Sequence, residues 1–297
     1  MRIDDIVNIA DAELVNAGYI TDILAFADNL KKVKREFLFI SNDILEIKEA
    51  IKKGAYAILF SEELKVIDDE IAWIKVENIN EALLKLLKYK LLDKTLYVTD
   101  EITIDIIKSM NKDKKLAIID KIEVKFLNED YIFITSIDRI KNISANKQTL
   151  IKKEKIELID STIFISNFMF DKHKYSIQFP EIYLNNLRKA LYFFEDLKLN
   201  YSLKKVSINR FVPQFINSKY EKMKFGKTNK VVIQNIKKDK YFIDELNFIF
   251  KKIKYANVKF YDKTNLKSFF KDKFDFAILV DCEIELKEKE EIEMSLF

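Results

Sequence analysis

The sequence predicts an α/β protein in which helices cover largely parallel sheets. Short apolar runs, typical of strands that are buried on both faces, alternate along the chain with segments of helical periodicity. The alternation fills the first third of the chain and resumes near its end, and in the middle two strand-like segments flank a tight turn. The chain has 297 residues, which is enough for two or three domains.

Residues 1–90 form the first predicted domain. Its predicted elements are a strand at 37–40, a helix at 44–53, strands at 56–60 and 74–76, and a helix at 80–89. Gly54 stands just past the first helix, where a glycine commonly ends one.

Residues 91–228 are predicted to form a reduced central domain, and residues 229–297 a partial, Rossmann-like C-terminal domain. Predicted in the central domain are strands at 95–99, 116–119 and 131–135, a helix at 103–110, a β-hairpin at 162–179 and a helix at 181–197. Predicted in the last domain are strands at 230–234, 258–261 and 274–281 and helices at 242–253 and 266–271. No Ser-, Gly- or Pro-rich linker marks either boundary.

Rare residue types exclude several kinds of site. The chain has three Gly, one His and one Cys. The glycines lie far apart, whereas a dinucleotide-binding turn needs three close together. One His and one Cys cannot supply the usual nitrogen and sulfur ligands of zinc, and a single Cys cannot form an internal disulfide. We therefore expect no metal, no cofactor and a reducing compartment.

The first five residues are acidic and unlike a signal peptide, and no uncharged apolar run approaches the roughly 18 residues of a membrane span. The sequence thus predicts a soluble, cytoplasmic protein. Residues 201–260 carry 15 basic side chains against 4 acidic ones, with Phe and Tyr interleaved. This pattern is typical of nucleic-acid or anion binding, and equally of an ordinary solvated face. The lysines concerned are Lys219, Lys222, Lys224, Lys227, Lys230, Lys237, Lys238 and Lys240.

Isolated reactive side chains do not form a recognisable catalytic set. His173 is predicted to lie in the exposed turn of the hairpin, and Cys282 follows a buried strand with no second histidine to pair with. Trp73 is predicted to lie in the core. The acidic groups at 4–5 and 68–70 are interpreted as helix caps and solvated loops.

Two segments near the N-terminus have a recognisable pattern. Residues 29–39 read Asn-Leu-Lys-Lys-Val-Lys-Arg-Glu-Phe-Leu-Phe, and residues 49–60 read Glu-Ala-Ile-Lys-Lys-Gly-Ala-Tyr-Ala-Ile-Leu-Phe. They resemble the substrate-binding N-terminal domain of the Mur ligases, most closely of those that add D-alanyl-D-alanine to UDP-MurNAc-tripeptide. A weaker likeness continues through the hairpin to Asn185-Asn186 and to Phe211-Val212-Pro213.

The resemblance implies a glycine-rich phosphate loop between the first central strand and its helix. Residues 97–104 there read Tyr-Val-Thr-Asp-Glu-Ile-Thr-Ile, so Asp100 and Glu101 stand where phosphates would bind. Gly226-Lys227-Thr228 does not replace this loop, because the motif also needs a glycine at position 221, where this chain has Glu221. We interpret the triplet as a turn. The carbamylated lysine and the acidic magnesium ligands of the family have no recognisable counterpart.

By the same resemblance, contacts to a UDP-sugar fall on Asn29 and Lys31, and a nucleotide-proximal asparagine falls on Asn186; ordinary surface polar roles are the alternative. No catalytic residue is predicted. The sequence favours a non-catalytic Mur-ligase-like protein, a pseudoenzyme associated with peptidoglycan precursor synthesis. It would bind a UDP-MurNAc-peptide-like ligand or a cell-wall synthesis protein. A nucleic-acid or anion-binding module that uses residues 201–260 is the second hypothesis, and a residual ATP-dependent amino acid ligase is the third.

Overall fold

The computed structural model describes residues 1–137, 146–151 and 156–288. The chain divides into two compact units. The first comprises Met1–Glu101 with Asp113–Leu150, and the second comprises Ile102–Lys112 with Ile151–Phe297. Both contain helices and sheets, which confirms the predicted α/β class. The finer division at residues 90 and 228 stays a prediction.

The first unit begins with a five-stranded sheet and its helices. The elements are α1 (Ile3–Ala10), β1 (Glu13–Asn16), β2 (Ala25–Ala27), β3 (Phe37–Ile40), α2 (Ile44–Lys52), β4 (Ala57–Phe60), β5 (Ala72–Lys75) and α3 (Ile79–Lys90). The strand order is β1-β5-β4-β3-β2, in which β2 to β5 are parallel and β1 is antiparallel. The central strands are buried on both faces, as their continuous apolar sequence predicted.

Local signals in the sequence explain where the two longer helices of this sheet begin and end. The Asp43 side chain accepts hydrogen bonds from backbone N–H groups in the first turn of α2, and Asn78 does the same for α3. Gly54 follows α2 with a φ of +89°, a backbone conformation that L side chains rarely adopt, so the predicted glycine stop is confirmed. Trp73 is fully buried in the core beside Phe60, also as predicted.

The remaining elements of this half of the chain are β6 (Thr95–Thr99), α4 (Glu101–Met110), β7 (Leu116–Ile118), α5 (Lys125–Asn128), β8 (Ile132–Ser136) and β9 (Asn146–Thr149). The four strands form a parallel sheet in the order β7-β8-β6-β9. Its core contains Leu96, Phe126 and Phe133. From Ile102 onward α4 belongs to the second unit.

The second unit contains a three-stranded antiparallel sheet and a six-stranded mixed sheet. Its elements are β10 (Glu157–Ser161), β11 (Ser166–Phe170), β12 (His173–Ile177), α6 (Leu184–Asp196), β13 (Val212–Ile216), β14 (Glu221–Met223), β15 (Lys230–Ile236), α7 (Phe242–Lys252), β16 (Val258–Tyr261), β17 (Phe276–Val280) and β18 (Lys287–Glu288). The sheet orders are β10-β11-β12 and β16-β17-β15-β13-β14-β18, and β15, β16 and β17 are parallel.

Several predicted boundaries in the second unit were wrong. The hairpin is present, but its first strand begins at Ser166, because Thr162 and Ile165 close a turn. The helix predicted at 266–271 is only a short 3-10 helix, Leu266–Ser268. A 3-10 helix, Glu181–Tyr183, also precedes α6. Each helix in the described part of the chain is too short or too polar to span a lipid bilayer.

Candidate functional site

Asn29 and Lys31 lie in the exposed loop that joins β2 to β3, within the first unit. The Asn29 Oδ1 atom accepts a hydrogen bond from the backbone N–H of Lys31 at 2.8 Å, so the asparagine shapes its own turn. Lys53 Nζ donates to the Leu30 carbonyl at 2.7 Å and ties the loop to the end of α2. The Lys31 ammonium is exposed and forms no ion pair with any described residue.

The junction between β6 and α4 is the position at which the resemblance implies a phosphate loop. Asp100 follows the strand, and Glu101 begins the helix. Negative side chains at a helix N-terminus are favourable, because the terminus carries a partial positive charge. The sequence thus places two acidic residues at the start of this helix, where the resemblance implies a phosphate.

Two buried hydroxyl groups lie close to this junction in the first unit. Thr99 and Ser136 are register partners on the parallel strands β6 and β8, at the carboxyl end of each strand. Both residues are buried, and neither hydroxyl oxygen has a hydrogen-bond partner among the residues the structure describes. The carboxyl ends of parallel strands are the usual place for ligands in open α/β sheets. Two buried hydroxyl groups of this kind fit a small polar ligand.

Asn186 lies near the beginning of α6 in the second unit and is half-buried. Its Nδ2 atom donates a hydrogen bond to the hydroxyl of Thr103 on α4, at 3.2 Å. Thr103 is fully buried, so the contact joins the two helices. The roles predicted for Asn29, Lys31 and Asn186 in ligand binding stay predictions.

A cleft of about 530 Å³ opens at the carboxyl ends of β15, β16 and β17, in the second unit. Its lining residues are Asn235, Ile236, Lys237, Lys263, Asp281, Cys282 and Glu283. Asn235 and Asp281 have φ angles of +62° and +51°, which non-glycine residues rarely adopt and which often mark functional sites. Lys237 and Lys263 form no ion pair within the described part of the chain.

A buried charge cluster, which sequence reasoning missed, lies elsewhere in the second unit. Both carboxylate oxygens of Glu245 accept hydrogen bonds from the Arg210 guanidinium, and Oε1 also accepts one from the Tyr183 hydroxyl. Asp239 accepts two more from Arg210, at 2.7 and 2.8 Å. Glu245 has no exposed surface, and the backbone of the adjacent Phe211 has a φ of +57°.

The electrostatics of this cluster follow from its burial. Burial raises the pKa of the Tyr183 hydroxyl, and the negative charge of Glu245 raises it further. Burial disfavours the charged form of Arg210, but hydrogen bonds to Glu245 and then Asp239 outweigh this effect and raise its pKa. Tyr183 therefore stays protonated and Arg210 stays charged in a fixed arrangement, which is typical of a structural connection and not of acid–base catalysis.

The isolated residues singled out in the sequence lie mostly where they were predicted. His173 is exposed and begins β12, directly after the hairpin turn. Burial raises the pKa of the Cys282 thiol, which is only half-buried. The Asp68 carboxylate accepts a hydrogen bond from the backbone of Glu70, as expected for a solvated loop. Within the described residues, no group of His, Cys, Asp and Glu has the arrangement of a metal site.

The Gly226-Lys227-Thr228 triplet forms a turn, as predicted. The turn joins β14 to β15, so a strand follows it where a phosphate loop would be followed by a helix. The backbone N–H of Lys227 donates to the carbonyl of Lys224 at 3.1 Å. The basic segment 201–260 does not form one uniform face: Lys222 pairs with Glu288, and the Lys230 ammonium lies against two aromatic rings.

The sequence matches no protein family profile and no curated protein. Solved structures do match. A UDP-N-acetylmuramoylalanyl-D-glutamyl-2,6-diaminopimelate–D-alanyl-D-alanyl ligase from Acinetobacter baumannii is similar with a TM-score of 0.50 and 9% sequence identity, over 94% of this chain and 94% of that chain. A MurF ligase from Thermotoga maritima, solved in complex with ADP, is similar with a TM-score of 0.47 and 12% sequence identity, over 88% of this chain and 95% of that chain. The likeness to the Acinetobacter ligase confirms a Mur-ligase-like fold.

Proposed function

We propose that this chain is a Mur-ligase-like protein that acts by binding, not by ATP-dependent ligation, in connection with peptidoglycan precursor synthesis. The observation that carries the proposal is the junction between β6 and α4. Asp100 and Glu101 stand there, in a segment without glycine or lysine. Its ligand is a UDP-sugar-like precursor, or its partner is a cell-wall synthesis protein.

Magnitudes favour exclusion of a triphosphate from this junction. A phosphate about 4 Å from a carboxylate is repelled by about 4 kcal/mol near a protein surface. The partial positive charge of the helix N-terminus stabilises an anion by only about 0.3–1 kcal/mol. The hydroxyls of Thr99 and Ser136 can donate hydrogen bonds, but they carry no positive charge that would attract a phosphate. The residues present do not fit an ATP phosphate chain.

The loop between β2 and β3 is better suited to an anionic ligand. Lys31 offers an exposed ammonium without an ion-pair partner in the described residues, on a turn that Asn29 and Lys53 hold in place. A loop that such hydrogen bonds already fix loses less conformational entropy on binding a ligand than a mobile loop does. These contacts support Lys31 as a phosphate contact and Asn29 as the residue that positions it.

The test is calorimetric titration of the full chain with UDP and with UDP-MurNAc-peptides. Lys31→Ala is expected to weaken binding at least about tenfold, because a hydrogen bond to a charged group contributes about 1.5–3 kcal/mol. Lys48→Ala is the matched control, since Lys48 is an exposed lysine on α2. Equal affinities of both variants for UDP would contradict the assignment of Lys31.

Titration with the precursor also distinguishes a UDP-sugar-like ligand from a partner protein. Absence of binding at millimolar UDP-MurNAc-peptide would remove the ligand form and leave the partner protein, which is then tested by pull-down with purified peptidoglycan-synthesis enzymes. Release of ADP from Mg²⁺–ATP in the presence of precursor and an amino acid or dipeptide would contradict both forms.

A further inference from the structure

An exposed aromatic surface with lysines around it lies in the second unit. The Phe270 ring is 54% exposed, and its centroid is 5.2 Å from that of the Tyr220 ring. The Tyr220 hydroxyl donates to the carbonyl of Asp272 at 3.2 Å, which joins the turn before β14 to the segment after the 3-10 helix Leu266–Ser268. The aromatic–lysine surface comprises Lys219, Tyr220, Lys267, Phe270, Lys271 and Lys273.

The two rings rest on a packed aromatic layer. Phe269 is fully buried, and its ring lies 5.5 Å from Tyr220 and 5.1 Å from Phe270. The Lys230 ammonium lies 3.8 Å from the centroid of Tyr220 and 4.3 Å from that of Phe274. Cation–π contacts of this length stabilise the orientation of the tyrosine. The exposed ring of Phe270 is therefore presented from a fixed support.

The charge around the rings is positive. Lys219, Lys267, Lys271 and Lys273 are exposed, and none forms an ion pair with a residue that the structure describes. The acidic residues of the same segments, Glu221, Asp272 and Asp275, are fewer than these lysines and accept hydrogen bonds from neighbouring groups. Asp272 Oδ2 accepts hydrogen bonds from the Tyr261 hydroxyl at 3.0 Å and from Ser268 Oγ at 2.9 Å, and Asp275 Oδ2 accepts one from the Asn257 backbone at 2.8 Å.

We propose that the aromatic–lysine surface binds single-stranded nucleic acid. Phe270 stacks on an unpaired base, and the surrounding lysines contact the phosphates on either side of it. An exposed ring can stack only on a base that is free of a duplex, and lysines supply the sequence-independent part of the affinity. The inference goes beyond the proposed function, because it uses none of the residues of the β2–β3 loop or of the β6–α4 junction.

The experiment is fluorescence anisotropy of labelled 12-nucleotide oligo(dT) and oligo(U) with the full chain, repeated between about 50 and 300 mM salt. If the four lysines neutralise four phosphates, the logarithm of the binding constant falls with the logarithm of salt with a slope of about −3. Phe270→Ala weakens binding about tenfold, in the range measured for base–aromatic stacking. Phe250→Ala, which removes an exposed ring from α7, is the matched control and leaves binding unchanged.

A second variant tests the lysines separately, in case Phe270→Ala alters the packing beneath the ring. Lys267→Ala/Lys271→Ala is expected to reduce the salt slope by about 1.4, whereas Lys34→Ala/Lys48→Ala, in the first unit, leaves it unchanged. No saturable binding, or equal losses in the Phe270 and Phe250 variants, would overturn the proposal. So would duplex DNA or heparin bound as tightly as oligo(dT), or a dimer in sedimentation that Phe270→Ala dissociates.

Discussion

Replacing Arg210 by methionine is expected to destabilise the fold more than any exposed arginine replacement. The substitution leaves the Glu245 carboxylate, which has no exposed surface, with the Tyr183 hydroxyl as its remaining side-chain donor in the described part of the chain. Breaking one side of a buried ion pair costs about 3–5 kcal/mol, because the other charge stays buried without compensation. Asp239 also loses its two hydrogen bonds from the guanidinium, but its side chain is 37% exposed and regains water.

Two matched variants separate the buried charge from other effects of Arg210→Met. Arg210→Met/Glu245→Gln removes the uncompensated charge and keeps an amide oxygen that accepts from Tyr183, so it recovers most of the lost stability. Arg2→Met removes an ion pair with Asp4, whose partners are 63% and 66% exposed, and changes the free energy of unfolding by less than about 0.5 kcal/mol.

The measurement is urea unfolding of each variant followed by circular dichroism, with the free energy of unfolding extrapolated to water. An Arg210→Met variant within about 1 kcal/mol of the unmodified chain, well below the 3–5 kcal/mol expected for a buried pair, would show that Glu245 is not left as an uncompensated buried charge. An Arg210→Met/Glu245→Gln variant no more stable than Arg210→Met would show the same.

Three further predictions concern glycine, pH and thiol reactivity. Gly18→Ala costs at least about 3 kcal/mol in the same unfolding assay, because a Cβ there would lie 2.5 Å from a backbone carbon; Gly226→Ala, with a similar φ and open space, costs about 1–2 kcal/mol. Hydrogen bonding to Lys252 lowers the pKa of Glu181 below its ordinary 4.5. The interaction of the ionised Glu181 with Lys252 therefore stabilises the fold above this pH, and the stabilisation is lost as the pH falls through the pKa of Glu181 in the folded protein. The stability gap between the unmodified chain and Lys252→Met therefore narrows in acid, and a constant gap from about pH 7 to 3 would refute the linkage. Burial raises the pKa of Cys282, so iodoacetamide modifies it more slowly at neutral pH than it modifies glutathione, and an equal or faster rate is the contrary result.

The fold class and most central strands could be predicted because their signals are local. Continuous apolar sequence marked β3 and β4, and Gly54 marked the end of α2. The short strands β1 and β2 were missed, since β1 alternates between exposed and half-exposed residues and β2 has only three residues. The local sequence of such segments does not distinguish them from loops. They become strands because β1 pairs with β5 and β2 pairs with β3.

The Arg210 cluster could not be predicted from spacing, because its members are far apart in the sequence. One signal was available: Glu245 lies one helical turn before Ile249, on the buried face of α7. A carboxylate on an apolar helix face indicates a buried partner, but it does not say which cation supplies it. The aromatic–lysine surface has the same limitation, since Tyr220 and Phe270 are fifty residues apart in the sequence and meet only in the folded unit.

The most direct test of the account is equilibrium binding of Mg²⁺–ATP to the full chain, measured by calorimetry and by protection against thermal unfolding. We expect no saturable heat and no shift of the melting temperature at millimolar nucleotide, because Asp100 and Glu101 repel a phosphate at the start of α4. Saturable binding that strengthens when Asp100→Asn removes one charge would show that the junction still holds a triphosphate, and it would contradict the account.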